Sequence, residues 1–301
     1  MGSERQGLVA VSERLTGERL PPRLADLAEP PAELYLRGEL PRGPAVAVVG
    51  TRRPSAEAVA FTKGLCADLA AAGVTVLSGG AEGIDTAAHE GTLAVRGTTV
   101  VVAPGGFNRP FPEENAALFQ RVVDSGGAYL SLRADDVAAH RSIFFARNAC
   151  LVALAHAVVV TQLPVRSGAA NAAKWARQLG RPLFIVPHSP WVKEGKGAVR
   201  ELRLGGRPLD RAKEVLKLLD AAGLHGLPGL PTPVQGELWS ADPGSAEDPV
   251  LRALQAGASH ADEIADRTGL SLATVQQRIL TLALSGVLVP GPLGSLKPVT
   301  Y

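Results

Sequence analysis

From Ala45 to Pro187 the chain alternates short, β-branched apolar runs with longer stretches of helical periodicity, and this alternation constrains the fold more than any other feature. The runs AVAVVG, VTVLSGG, TTVVVAPGG, AYLSL, HAVVVTQ and RPLFIVP are almost wholly apolar. Between them stand AEAVAFTKGLCADLAAAG, IDTAAHEGTLAVRG, PEENAALFQRVVDSGG, ARNACLVALA and GAANAAKWARQLG. Strands without a polar face must be covered on both sides, and a helix after each strand supplies the cover through parallel crossovers. The pattern predicts an α/β fold, a doubly wound Rossmann-like parallel sheet. Ligands of such sheets sit outside the carboxyl ends of the strands, so the loops after Val49, Leu77, Ala103, Ser131 and Thr161 are where chemistry is expected.

The flanking segments read differently. Residues 1–44 hold six prolines and form an N-terminal extension, with at most one short helix and an extended arm leading into the sheet. The Rossmann-like domain then spans 45–219. Residues 220–247 are rich in Pro and Gly with little periodicity, which marks a linker. In 248–301, DPVLRALQAG, HADEIADRTG and SLATVQQRILTLALSG read as three short helices, with Ser271 an N-cap and Gly286 a C-cap. VLVPGPLGSLKPV follows as a β-ribbon whose tip is GPLG, so this small C-terminal domain reads as a winged helix. No stretch approaches the roughly 20 apolar residues of a membrane span, and the first residues lack the apolar core of a signal peptide, so a cytoplasmic protein is expected. Cys66 and Cys150 stand alone in apolar helical patterns, away from metal-spaced histidines, and read as buried thiols; neither a metal nor a cofactor is implied.

The loops carry the functional signal. The first, GTRRPSAEA, lacks the G-x-G-x-x-G fingerprint of dinucleotide binding, because Arg52 stands where a backbone should approach a pyrophosphate. A tight turn at Gly50 and Thr51, amides at a helix start and planar guanidiniums suit a phosphate held outside the turn. Arg52 is the stronger candidate; Arg53 is either an anion contact or a solvated partner of Glu57 one turn on. The second loop, SGGAEGIDTAAHEG, offers Ser78, Gly79 and Gly80, then Asp85, able to cap the following helix, and His89 one turn later, a pair that reads as structural. In the third, APGGFNRPFPEEN, Gly105 and Gly106 precede Phe107, Arg109 and Phe111, aromatics that either stack bases or pin the loop. HRSIFFARNA then interleaves Arg141, Phe144, Phe145, Arg147 and Asn148, the mixture a single-stranded nucleic acid needs for phosphates and bases. Ser167 and Gly168 open a further helix, carrying Lys174, whose N-terminus is an anion seat.

The formal net charge is only +2, yet His140–Lys213 holds thirteen Lys and Arg against three acids. The remaining chain is net acidic. Segregation of this size points to a polyanion partner.

These residues resemble the DNA-processing protein A family (DprA, also called Smf). RLPPRLADLAEPPAELYLRGEL is similar to its lead-in, VAVVGTRRP to its Gly-Ser-Arg loop and VLSGGAEGIDTAAHEGTL to its long signature. APGGFNRPFPEEN, FFARN, RSGAANAA, GRPLFIVP and GKGAVRELRLGGRPL follow in the family's order, so the likeness covers roughly residues 20–218. The resemblance implies a protein without catalytic residues that binds single-stranded DNA in a basic pocket, forms a homodimer, and helps load a RecA-type recombinase in natural transformation. It implies contacts from Arg52, from Ser78 to Gly80, from Arg147 and Asn148, and from Ser167 with Gly168. With the loop readings above, the candidate DNA-contact set is Gly50, Thr51, Arg52, Arg53, Ser78, Gly79, Gly80, Gly105, Arg141, Phe144, Arg147, Asn148, Ser167, Gly168 and Lys174. The chain departs from the family pattern at Ser131-Leu132-Arg133, usually Ser-Glu-x-Pro, at Ala149, usually Arg, and at Thr161-Gln162, usually Glu-Ala.

Two other classes compete. Nucleotide-binding or nucleotide-cleaving relatives share the Pro104-Gly105-Gly106 loop, but FNRPFPEE stands here where their positioned carboxylate follows. A transcription regulator would read duplex DNA with its winged helix. Residues 248–301 carry four Lys and Arg against four acids, and a neutral winged helix is a poor duplex reader on its own, which suits a protein-contact or autoregulatory module better.

Overall fold

The computed structural model describes residues 11–165, 167–188, 193–223 and 248–270, then 272, 275, 276, 278, 279, 282, 288–290 and 296–298; for 193–195, 289–290 and 296–298 it describes the backbone alone. Most of the expected linker lies outside the described residues, as do Ser271, Gly286 and the wing tip.

Each apolar run forms a strand. β3 (Ala45–Val49), β4 (Thr75–Ser78), β5 (Thr99–Ala103), β6 (Ala128–Ser131), β7 (Ala157–Val160) and β8 (Leu183–Ile185) are buried throughout their length, as strands covered on both faces must be. The helices between them are α1 (Ala56–Ala71), α2 (Ile84–Ala94), α3 (Ala116–Asp124), α4 (Ile143–Leu154) and α5 (Gly168–Gln178). Ser55 and Ser167 cap α1 and α5, their hydroxyls accepting from the Ala58 and Ala170 amides at 3.2 Å. One face of the sheet packs on α4 and α5 through Val49, Leu77, Leu151 and Ala173; the other meets α1 and α7 (Ala212–Ala221) through Val46, Val48, Leu69 and Leu219.

The sheet is larger than the sequence suggests. β1 (Glu13–Thr16) and β2 (Glu33–Gly38) pair antiparallel with each other, and β2 pairs antiparallel with β6, opposing Tyr35 to Ser131. The segment before residue 45 therefore supplies sheet, where an extension and a connecting arm were expected. Its signal is faint because β2 buries only alternate residues, Leu34 and Leu36, as an outer strand does. Beyond β8 come α6 (Lys193–Arg203) and β9 (Arg207–Pro208), giving the order β1-β2-β6-β5-β4-β3-β7-β8-β9 among the described residues. Successive crossovers run from β3 outward to β6. The chain then returns through α4 to β7, on the opposite side of β3, so the tips of β3 and β7 form the topological switch point.

The C-terminal unit has its own core of Val250, Leu251, Leu254, Ile264, Val275, Ile279, Leu282 and Leu288. It comprises α8 (Pro249–Gln255), α9 (Ala261–Thr268), helical positions between 272 and 282, and a hairpin of β10 (Leu288–Pro290) with β11 (Leu296–Pro298). Asp248 caps α8 through the Val250 and Leu251 amides and accepts from Arg278 Nε at 2.5 Å. Among the described residues no helix is long and apolar enough to cross a membrane, and no group of three or more His, Cys, Asp or Glu could hold a metal ion. Both cysteines are buried, and burial pushes the Cys150 thiol up to about 12.

His89 is sealed against the sheet. Its Nδ1 lies 2.8 Å from Thr99 Oγ1, which itself donates to the Val76 carbonyl, so Nδ1 carries the proton and Nε2 is left bare and buried without a partner. Burial lowers its pKa to about 3. The unfolded chain, titrating near 6.5, binds the proton first as pH falls, so stability drains away below about pH 6.5 and the loss is complete only near pH 3. Between pH 7.5 and 5 the unfolding free energy should drop by about 2 kcal/mol more in the wild type than in His89→Met, read by chemical denaturation. Parallel curves would show that Nε2 finds a partner for its proton.

Candidate nucleic-acid interface

The first loop is stitched across the switch point. The Thr51 amide donates to the Gln162 carbonyl beyond β7 at 3.0 Å, and the Thr51 carbonyl accepts from the Ile84 amide at the start of α2 at 3.2 Å. The Gln162 side chain accepts from the Ser55 amide at 3.0 Å, and Thr161 meets the Thr62 hydroxyl at 3.0 Å, so two of the residues that depart from the family pattern anchor α1 to β7. With its backbone held at both ends, the loop presents the Arg52 and Arg53 side chains to solvent. Arg53 makes no ion pair with Glu57. The Glu57 carboxyl is held below its ordinary value mainly by its own backbone amide and by Ser55.

Under this loop lies a buried cation. Arg147, from α4, is only 5% exposed; its Nη1 donates to the Gly79 carbonyl beyond β4 and to the Val102 carbonyl of β5, the latter at 3.1 Å. Burial lowers its pKa, and Asp85 opposes that shift. Asp85 does not cap α2 with its side chain, as had been expected. Its Oδ2 turns back to accept from the Gly79 and Ala81 amides at 3.1 and 3.3 Å. Burial raises its pKa against the pull of Arg147, those two amides and Arg52. A Cβ on Gly79 would stand 1.7 Å from Arg147 Nη1, so any side chain here would push the guanidinium off the carbonyl.

The cleft above this floor has a volume of about 730 Å³. Gly50, Thr51, Arg52 and Arg53 form one wall; Ser167 and Gly168, at the start of α5, form the other; Arg147, Asn148 and Asp85 lie between them. Asn148 Nδ2 braces the α5 wall from α4 by donating to the Gly168 carbonyl at 3.3 Å and to Asn171 Oδ1 at 3.2 Å. Eight of the fifteen expected residues thus meet in one place.

The other seven do not line the cleft. Ser78 donates its hydroxyl to the Val48 carbonyl at 2.7 Å, joining β4 to β3. Gly79 and Gly80 are buried, Gly80 against Phe119 and Val101. Gly105 is buried as well, its carbonyl accepting from Tyr129 and Ser131 at 2.8 and 2.9 Å. Arg141 and Lys174 are exposed but stand outside it. Phe144 sits at the rim, its ring 5.8 Å from the Arg52 guanidinium and edge-on to Phe111 at 5.3 Å. Phe107 pins its loop, edge-on to Tyr129 with Arg37 stacked over its other side at 4.0 Å.

One cleft cation escaped the sequence reading. Lys196, exposed on α6, reaches the same cleft from beyond β8. Its signal was the basic excess of residues 140–213, which does not say which of thirteen cations turns inward.

A Rossmann-like sheet with a basic cleft at its switch point, followed by a small helical unit with a β-hairpin, defines the class of fold. The comparisons narrow it: residues 14–220 match the family model for DNA recombination-mediator protein A, and residues 237–292 match the DprA winged helix domain. The chain belongs to the DprA family. It is 37% identical to a putative DNA processing protein DprA from Mycobacterium tuberculosis over 248 residues, 81% of this chain and 61% of that protein, so it spans under two thirds of that relative's length. Protein Smf from Escherichia coli is 30% identical across 93% of this chain and 75% of its own. Among solved structures, DNA processing protein A from Streptococcus pneumoniae aligns with a TM-score of 0.64 at 26% identity, covering 68% of this chain and 74% of its own. The same protein from Helicobacter pylori, described for its single-stranded DNA binding mode, aligns with a TM-score of 0.62 at 27% identity, over 70% and 97%.

The geometry separates scaffold from surface. Arg147→Met should lower unfolding free energy by about 3 to 5 kcal/mol, because Asp85 loses the cation facing it and two carbonyls lose their donor. Arg52→Ala, on an exposed side chain, should change it by less than about 0.5 kcal/mol. Denaturant unfolding of the two variants checks both; equal effects would show that Arg147 is no structural keystone.

Proposed function

We propose that this chain binds single-stranded DNA in the switch-point cleft, shields it, and as a homodimer passes it to a RecA-type recombinase during natural transformation. The observation that carries the reading is the convergence of three exposed cations, Arg52, Arg53 and Lys196, on a cleft walled by the capped start of α5. Exposed cations facing the start of a helix suit a phosphate backbone. The acid within reach, Asp85, already accepts two amide hydrogen bonds and faces Arg147, so it offers little repulsion to an anion. The Phe144 ring at the rim, beside Arg52, offers a face on which an unpaired base can stack, which a duplex cannot use. The basic stretch from His140 to Lys213 extends the same polarity beyond the cleft. Membership of the DprA family and the likeness to the Helicobacter pylori protein favour DNA as the polyanion. A mononucleotide also fits the volume, and free amides at a helix start would hold its phosphate. The Arg52 side chain, in the place of a dinucleotide fingerprint glycine, favours a backbone that passes across the cleft over one that ends inside it.

Arg52→Ala should weaken binding to oligo-dT about tenfold or more, the cost of one charge-assisted phosphate contact, and make the log–log salt slope shallower by about 0.7. Arg53→Ala should weaken it by severalfold, since no ion pair with Glu57 holds that side chain away from the cleft. Fluorescence anisotropy at several salt concentrations measures both. Wild-type affinity in Arg52→Ala would remove the strand tip from the binding site.

A further inference from the structure

α6 is bound to the rest of the domain by an unusual charge arrangement. Glu201 is completely buried, and it is shared by two arginines. Its Oε2 pairs with Arg177 of α5, while Oε1 accepts from Arg200 Nε and Nη2 at 3.0 and 2.7 Å. Arg200 then spends its remaining nitrogen, Nη1, on the Val165 carbonyl at 2.9 Å. Val165 lines the cleft, two residues before the Ser167 that caps α5. A second contact reinforces the first: Gly197, next to Lys196, lies so close to the Leu163 carbonyl that a Cβ there would stand 2.0 Å from it. The carboxylate therefore links three parts of one wall, namely α5 through Arg177, the turn at 163–165 through Arg200, and α6 with Lys196.

We propose that Glu201 is a positioning residue for DNA binding: it never touches the strand, but through Arg177 and Arg200 it sets the α5 wall and holds Lys196 in the cleft. The inference rests on the reading of that cleft as the single-strand site. A buried carboxylate is costly to desolvate, and it is tolerated here because two guanidiniums satisfy its oxygens, Arg177 through one nitrogen on Oε2 and Arg200 through two on Oε1. If it is removed, Arg177 and Arg200 repel each other across the gap it leaves. Arg200 then has no reason to stay on Val165, and the 163–165 stretch loses its tether.

The two accounts of Glu201 predict opposite signs. If it matters only as a charge, Glu201→Gln removes an acid from a basic surface and strengthens the attraction for a polyanion. If it positions the wall, the same substitution weakens binding although the protein has become more positive.

The experiment is anisotropy titration of fluorescent oligo-dT with the full chain, comparing wild type, Glu201→Gln, Lys196→Ala and the double variant, with thermal unfolding alongside. The expected result is a loss of about fivefold or more in Glu201→Gln, and a Lys196→Ala effect that shrinks at least twofold in that background, because Lys196 is already out of place. Arg200→Lys serves if Glu201→Gln does not fold. It keeps the charge but cannot hold Glu201 Oε1 through two nitrogens and the Val165 carbonyl through a third, and should weaken binding in the same direction. Equal or tighter binding in the folded variants, or an undiminished Lys196→Ala effect, would overturn the proposal. Failure of the wild type to bind oligo-dT would instead sink the functional reading itself.

Discussion

The site depends on one buried cation. Arg147 stands where β4, β5 and α4 meet, and its guanidinium joins the Gly79 and Val102 carbonyls while facing Asp85. A charge that far from water is expensive unless its surroundings are shaped around it, and here they are. Gly79 is bare so that the guanidinium can reach its carbonyl, and Asp85 turns from the helix it could have capped to hold the same loop by its amides. The second loop is thereby drawn down to form a floor, and Ile84 at the head of α2 is set where its amide meets Thr51.

A division of labour follows. The candidate contact residues, with Lys196 added, separate into an inner layer and an outer one. Ser78, Gly79, Gly80 and Arg147 build the floor by bonds to their own protein. Arg52, Arg53 and Lys196 have exposed side chains and form no ion pairs among the described residues, which leaves their charge available to a ligand. Asn148 spans the two layers, bracing α5 while lining the cleft. Two of the substituted positions belong to the same logic: Gln162 and Thr161 have polar side chains, and both are used to fix the start of α1 beside β7.

The legible part of the sequence was the part dictated by burial on both faces. β3 to β8 are apolar from end to end, and each strand-end loop carried its Gly, Ser or Arg in plain sight. β1 and β2 were hidden because ELYLRG buries only Leu34 and Leu36, and so short an alternation is also what a connecting arm shows. α6 was hidden because it follows the last long apolar run, in a segment where charge outweighs periodicity. Orientation was harder still. Arg147 and Arg52 are both arginines at strand-end loops, and only the packing of α4 against β5 turns one inward and leaves the other in solvent. Phe107 and Phe111 posed the same problem, and the contact with Tyr129 settles the first as a loop anchor.

The most direct test of the account is competition for the cleft by ligands that share phosphate but differ in form. Purified full chain is titrated with labelled oligo-dT in the presence of unlabelled single strand, duplex of the same length, or a nucleoside monophosphate, at two salt concentrations. Displacement by single strand at far lower concentration than by either competitor, with affinity falling steeply as salt rises, is the predicted result. Equal displacement by duplex, or displacement by the mononucleotide at the same concentration as the strand, would contradict it.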